Sequence, residues 1–131
     1  GIMQRALDEA VAYAKQRKQF GRRLIDFEMV QAMLADMAIK TEAARVLVNN
    51  CMRQMDAGEM VRKDGAIVKT FVTDAMQEVV SNAVQVLGGY GYSEEYPVEK
   101  LMRDAKIFQI FEGSNQIQRM TIAKELDREY R

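Results

Sequence analysis

Histidine and tryptophan are absent from this chain, and cysteine and proline occur once each. Without histidine there is no Ser-His-Asp or Cys-His machinery, and with Cys51 as the lone thiol there is no internal disulfide and little basis for a zinc site. Any metal site is therefore excluded from the expectations. A lone thiol points to a reducing compartment, a condition that bacterial cytoplasm and the mitochondrial matrix both meet. Lys+Arg and Asp+Glu are both 19, so the formal net charge is zero. No global field favours nucleic acid or an anionic membrane. No apolar run approaches the roughly 18 residues of a membrane span, and no signal-peptide pattern opens the chain. Chemistry must run on Glu, Asp, Lys, Arg, Tyr or a cofactor.

What is present is a helical period. The 131 residues suffice for one domain, 1–131, with a real core. Met3–Lys18 reads as a helix with Ala6, Ala10, Tyr13 and Ala14 on one side. "FGRRLID" is a connection, and Asp26 is a plausible N-cap for a long helix to about Asp56. Val30, Leu34, Met37, Thr41, Ala44, Val48, Cys51 and Met55 step by four and three, a packing seam with Cys51 as a small core residue. Gly58 closes that helix. A third helix covers about Lys63–Leu87, with Val68, Val72, Ala75, Val79, Ala83 and Val86 along its stripe. Pro97 opens a short helix ending near Lys106. Ile107–Phe111 could be extended, and Ser114 caps a last helix to about Glu129. The reading is all-α: an up-and-down four-helix bundle with a short inserted helix.

Three stretches could carry chemistry. In "IFQIFEGSNQIQR" (Ile107–Arg119), Glu112 follows an apolar run and precedes a glycine. Burial in such a run pushes a carboxyl pKa upward, which suits a base for a weakly acidic C–H. Gly113 lets a ligand approach the backbone, and the N–H groups after Ser114 favour anions. Equally, a glutamate before a helix start complements the dipole, and Ser114 is then only a cap. In "KQRKQFG" (Lys15–Gly21), Arg17 could clamp phosphate and Phe20 could pack on a flat ring; the cations also suit a helix C-terminus without any ligand. In "QVLGGYGY" (Gln85–Tyr92), adjacent glycines leave bare backbone against which a dinucleotide could lie, with Gln85 reading its polar groups, or they form a plain C-cap and turn. This is not a GxGxxG fingerprint, and no strand precedes it.

Taken together, "RKQFG", "QVLGGYGY…EEYPVEKLMRDAKIFQIFEGSNQIQR" and the helical spacing between them closely resemble the C-terminal domain of the acyl-CoA dehydrogenases, from about residue 3 to the end. The resemblance implies FAD as cofactor and oxidation of an acyl-CoA thioester to the trans-2-enoyl-CoA, a fatty acid β-oxidation step. It implies that Glu112 removes the α-proton and that its N–H helps to hold the thioester oxygen. Gly113 and Phe111 would lie at the substrate. Arg17, Phe20, Gln85, Val86, Leu87, Gly88, Gly89, Ser114 and Gln116 would contact FAD. A homodimer or homotetramer and an electron-transfer flavoprotein are the implied partners.

Some positions depart from the family pattern. Glu28 replaces a common Gln, Ser114 a common Thr and Phe111 a frequent Tyr. The family's N-terminal helical and middle β-domains are not in these 131 residues, so the resemblance implies a C-terminal domain inactive by itself. Two other readings remain: a stand-alone helical oligomerisation module without catalysis, and a domain of an acyl-CoA oxidase.

Overall fold

A computed structural model describes residues 1–59 and 62–131. Five helices carry the fold: α1 (Ile2–Gln16), α2 (Glu28–Asp56), α3 (Arg62–Leu87), α4 (Val98–Ile107) and α5 (Asn115–Glu129). Four of them form the bundle and α4 is the short insertion, as the periodicity predicts. The central member is α3, which packs against α1, α2, α4 and α5. Its stripe supplies Val79, Val80 and Ala83 to the fully buried core, facing Ala6, Ala10 and Ala14 of α1 and Met37 of α2. Alanines on α1 let the two helix axes approach closely, while each buried valine contributes roughly 1.5–3 kcal/mol.

Several expectations need correction. Asp26 does not cap α2. It lies in a 3-10 turn (Leu24–Asp26) and takes a two-pronged ion pair from Arg23, while Phe27 is the N-cap without a side-chain bond. The guanidinium fork three residues away competes successfully for the carboxylate. The α2 seam is buried only in its first half, at Leu34, Met37, Thr41 and Ala44. Val48 and Met55 are 38% and 51% exposed, and Cys51 is half-buried rather than core. Length explains this: 29 residues span about 44 Å, while the 15 residues of α1 span about 22 Å. Thr41, the polar member of the seam, donates its hydroxyl to the Met37 carbonyl at 2.7 Å and so is satisfied inside the core.

Other boundaries follow the local chemistry. Gly58 closes α2 at φ +70°, with its N–H donating to the Met55 carbonyl and the Glu59 N–H to the Gln54 carbonyl, the paired bonds of a Schellman ending. Pro97 is the N-cap of α4 rather than its first helical residue. Ile107–Phe111 is not extended. The Ile110 and Phe111 N–H groups both donate to the Ile107 carbonyl, so the chain finishes α4 in tight turns.

One glycine in this frame is fixed by close approach. Gly91 is buried in a 3-10 turn (Gly88–Tyr92) after α3. A Cβ there would lie 2.4 Å from the Val84 carbonyl oxygen and 2.9 Å from its Cα, both backbone atoms. Gly91→Ala is expected to lower stability by about 1–2 kcal/mol. A urea melt of the two chains checks this, and matching midpoints would mean that the turn yields freely.

Candidate active site and cofactor surface

The predicted site residues fall into two clusters on the bundle. The first begins at the end of α1. Arg17 leaves the helix in an extended conformation, and its carbonyl accepts the Leu24 N–H at 2.8 Å. Between these two residues the chain makes a small hairpin missed in the sequence, β1 (Lys18–Gln19) against β2 (Arg22–Arg23). Its two-residue turn is Phe20-Gly21, with φ +52° and +80°. Two positive φ angles suit the twist of a tight hairpin, which is why Asn-Gly is the favoured pair. Phenylalanine is an uncommon choice there. It is also 92% exposed, with its ring edge-on to that of Phe27 at 6.3 Å between centroids.

Arg17 lies beside the end of α3. An open groove of about 650 Å³ is lined by Arg17, Val86, Leu87, Gly88 and Gly89 together with Tyr90, and Glu95 stands at its acidic side. The Arg17 guanidinium sits 5.7 Å from the centre of the Tyr90 ring. Gly88 holds φ +61°, and a Cβ on Gly88 or Gly89 would meet nothing within 4 Å, so the glycines present bare backbone to open space. Gln85 is exposed but is not part of this lining, and neither is Phe20. Tyr13, Tyr90 and Tyr96 stack behind the groove with centroids 5.6 to 6.4 Å apart. Burial pushes the Tyr13 phenol above its ordinary value, against the opposing pull of Arg17.

Replacing Phe20 by asparagine relieves the strain of a left-handed aromatic residue, and little packing is lost with the ring. The variant is expected to be more stable by up to about 1 kcal/mol. A lowered unfolding midpoint would show instead that the Phe27 contact outweighs the strain.

The second cluster is the turn between α4 and α5. Glu112 has φ +56° and Gly113 φ +84°, so two consecutive left-handed residues reverse the chain into α5. Phe20 and Glu112 are the only non-glycine residues at positive φ among the described residues. Ser114 is the N-cap, its hydroxyl oxygen accepting the Ile117 N–H at 3.4 Å. The Glu112 N–H has no acceptor among the described residues. The apolar run does not enclose the carboxylate as the sequence suggests. Ile107, Ile110, Phe111 and Glu112 are all exposed, because the tight turns send only Phe108 inward and stack Phe111 edge-on against it at 5.1 Å. Gln116 is also exposed, on the first turn of α5.

Under this turn lies a polar network that sequence reasoning missed. Asn115 is 3% exposed. Its side-chain amide donates to Thr73 Oγ1 and Asp74 Oδ1, both at 2.7 Å, and its carbonyl oxygen accepts from Lys69 Nζ at 2.5 Å. Burial pushes the Asp74 carboxyl up, but bonds from Arg119, Gln109 and Asn115 outweigh it and hold the group below its usual range. Burial holds the Lys69 ammonium below its usual range, with Asp74 opposing. The available signal was Lys69 about one turn before Thr73 and Asp74 in the middle of α3. From Asp74 to Val86 is about 18 Å along the axis of α3, so the two clusters occupy separate stretches of the same helix. No group of three His, Cys, Asp or Glu side chains is placed to hold a metal among the described residues, and no helix there is long and apolar enough to cross a membrane.

Fold and site together define a helical domain with a bare-backbone groove at one place and an exposed, conformationally strained carboxylate at another. Residues 1–126 match the family model described as acyl-CoA dehydrogenase, C-terminal domain, and the chain belongs to that family. Over 127 residues it is 50% identical to the probable acyl-CoA dehydrogenase FadE25 of Mycobacterium tuberculosis, covering 96% of this chain and 33% of that protein. Over 123 residues it is 46% identical to the caffeyl-CoA reductase-Etf complex subunit CarC of Acetobacterium woodii, covering 94% and 32%. The butyryl-CoA dehydrogenase structure from Megasphaera elsdenii superposes with a TM-score of 0.93 at 47% identity, covering 95% of this chain and 33% of that one. The chain thus spans about a third of the length of the curated relatives it matches.

Proposed function

We propose that this chain is the C-terminal domain of an FAD-dependent acyl-CoA dehydrogenase and supplies its proton-abstracting carboxylate, Glu112. The observation that carries the reading is the Glu112 turn: an exposed carboxylate in a strained left-handed conformation, beside an unengaged N–H and a glycine. Strain of this kind persists where the surroundings enforce it, and it concentrates at functional sites. Glu112 removes the proton from the carbon next to the thioester carbonyl. The electron pair left behind is stabilised on the thioester oxygen, toward which the Glu112 N–H donates. Gly113 adds no side chain between the substrate and the main chain, and Phe111 offers its exposed ring as part of the substrate wall. Bound FAD would supply the acceptor for the hydride that leaves the adjacent carbon.

The residues fit that cofactor. Arg17 provides a cation, and the Val86–Gly89 segment provides bare backbone, in one groove. Gln85 and Phe20 would meet FAD from outside that groove, and Ser114 and Gln116 from the other cluster. Two clusters about 18 Å apart on one helix suit an elongated dinucleotide or one shared between subunits. Exposed apolar side chains along α2 (Ile39, Val46, Met52 and Met55) suit assembly into a homodimer or homotetramer. An electron-transfer flavoprotein is the proposed redox partner, supported by the Etf-complex name of one relative.

A second direction of the same reaction has its own support. A relative 46% identical is named a caffeyl-CoA reductase subunit and one 44% identical a 3-(aryl)acrylate reductase. Run in reverse, Glu112 in its acid form returns the proton to the same carbon. The test is a panel of acyl-CoA and enoyl-CoA thioesters on the full-length, FAD-loaded protein with a dye acceptor or donor. Thioester-dependent change of flavin colour is expected there and not with residues 1–131 alone. Silence of the full-length protein with the whole panel would end the enzyme reading, and bleaching by the isolated chain would end the domain reading.

A further inference from the structure

The exposed Glu112 turn has little packing of its own, and its conformation must be imposed from elsewhere. Two side chains of α3 reach it from below. Lys69 Nζ donates to the Gly113 carbonyl at 2.9 Å and to Asn115 Oδ1 at 2.5 Å. Asp74 gathers the chain on both sides of Glu112. Its Oδ1 accepts from Gln109 Nε2 and Asn115 Nδ2, each at 2.7 Å, and its Oδ2 accepts from Arg119 at 2.5 Å. The Asn115 N–H closes the loop onto the Gln109 carbonyl at 3.0 Å, and Gln118 Nε2 donates to the Glu112 carbonyl at 3.1 Å. Residues 109, 113, 115 and 119 are therefore tied to one and a half turns of a single rigid helix, leaving Glu112 as the untethered side chain at the apex.

We propose that Lys69 and Asp74 are positioning residues for the reaction, holding Glu112 left-handed so that its carboxylate and its N–H face the same substrate. The two residues divide the work. Asp74 fixes the span of the turn by joining its entry and exit. Lys69 fixes its twist by holding the carbonyl of Gly113, the second of the two left-handed residues. A plain structural brace would affect stability alone. A positioning device acts on the orientation of one carboxylate, and a displacement of about 1 Å is worth up to 100-fold in rate. The proposal rests on the reading of Glu112 as the base.

The experiment uses Lys69→Met and Asp74→Asn, with Lys69→Arg and Asp74→Glu as variants that keep the charge and move it slightly. In residues 1–131, backbone NMR reads φ at Glu112 from its intraresidue HN–Hα coupling and NOE. Amide exchange is measured at residues 111–115 and across α1 and α2. The expected result is loss of the left-handed signature at 112 and exchange faster by about tenfold or more around it, with α1 and α2 unchanged. In the full-length flavoprotein kcat is expected to fall about 10–100-fold, with KM within about twofold and FAD content unchanged. If Lys69→Met or Asp74→Asn fails to fold, the charge-keeping pair decides the matter by the same readouts. A left-handed signature that survives in every folded variant overturns the proposal. Lost signature with intact turnover also overturns the positioning role, while Glu112 as the base is tested separately by Glu112→Gln.

Discussion

Glu112→Gln in the full-length, FAD-loaded protein is expected to lower the rate of flavin reduction by at least about 10³-fold while leaving FAD bound. The carboxamide has nearly the shape of the carboxylate but no useful basicity, so the α-proton has no acceptor. The backbone is spared. Glutamine tolerates a left-handed φ about as well as glutamate, and the bonds from Lys69 and Gln118 go to main-chain carbonyls that the substitution does not touch. The groove formed by Arg17, Val86 and Gly88–Gly89 lies well along α3 from this turn, so cofactor content should hold. Glu112→Asp draws the carboxylate back by one methylene and should fall between the two. Stopped-flow absorbance of the flavin on mixing with thioester measures all three proteins. Flavin reduction in Glu112→Gln at a rate near that of the parent would remove Glu112 from the reaction and return it to the role of a dipole-complementing surface residue.

The turn that carries this residue was only partly legible in the sequence. Helices, their order and the buried stripe of α3 follow from apolar spacing, because burial of one face is a one-dimensional pattern. Gly58 and Ser114 follow from local backbone chemistry and sit where caps are needed. The failures share a cause. Asp26 was read from its type, yet a guanidinium three residues away took its carboxylate. The lower α2 seam reads as buried, yet Val48 and Met55 are exposed and Cys51 is half-buried among the described residues. The apolar run before Glu112 was read as a dry wall, yet within this chain those side chains point outward. In each case the outcome turns on which contact wins, a local one for Asp26 and for the run before Glu112 and the reach of neighbouring helices for α2, and residue type alone does not decide it. The strained φ at Phe20 and Glu112 has no signature in residue type at all. It is visible only because a tight hairpin and a braced turn force residues that rarely adopt it.

Asn115→Ala tests the buried node beneath the turn and is expected to lower stability by about 2–3 kcal/mol. Its side chain links Lys69, Thr73 and Asp74 together. Truncation leaves the Lys69 ammonium with the Gly113 carbonyl but without the amide oxygen, and Asp74 with two donors where it had three. Little apolar area is lost, so the cost arises from half-buried polar groups deprived of partners rather than from a cavity. For a chain of this length that corresponds to a melting temperature lower by about 6–10 °C. Asn115→Asp separates this cause from simple loss of volume. It keeps the size and the acceptor for Lys69 but sets a carboxylate where Asp74 had a donor. Two adjacent carboxylates cannot both stay ionised cheaply, so the pair takes up a proton more readily when folded than when unfolded. The aspartate variant should therefore recover stability relative to the parent as pH falls toward about 4, whereas the alanine variant should not. Equal melting temperatures for the parent and Asn115→Ala would mean that the Asn115 side chain adds nothing to the network, and that the remaining bonds of Lys69 and Asp74 suffice.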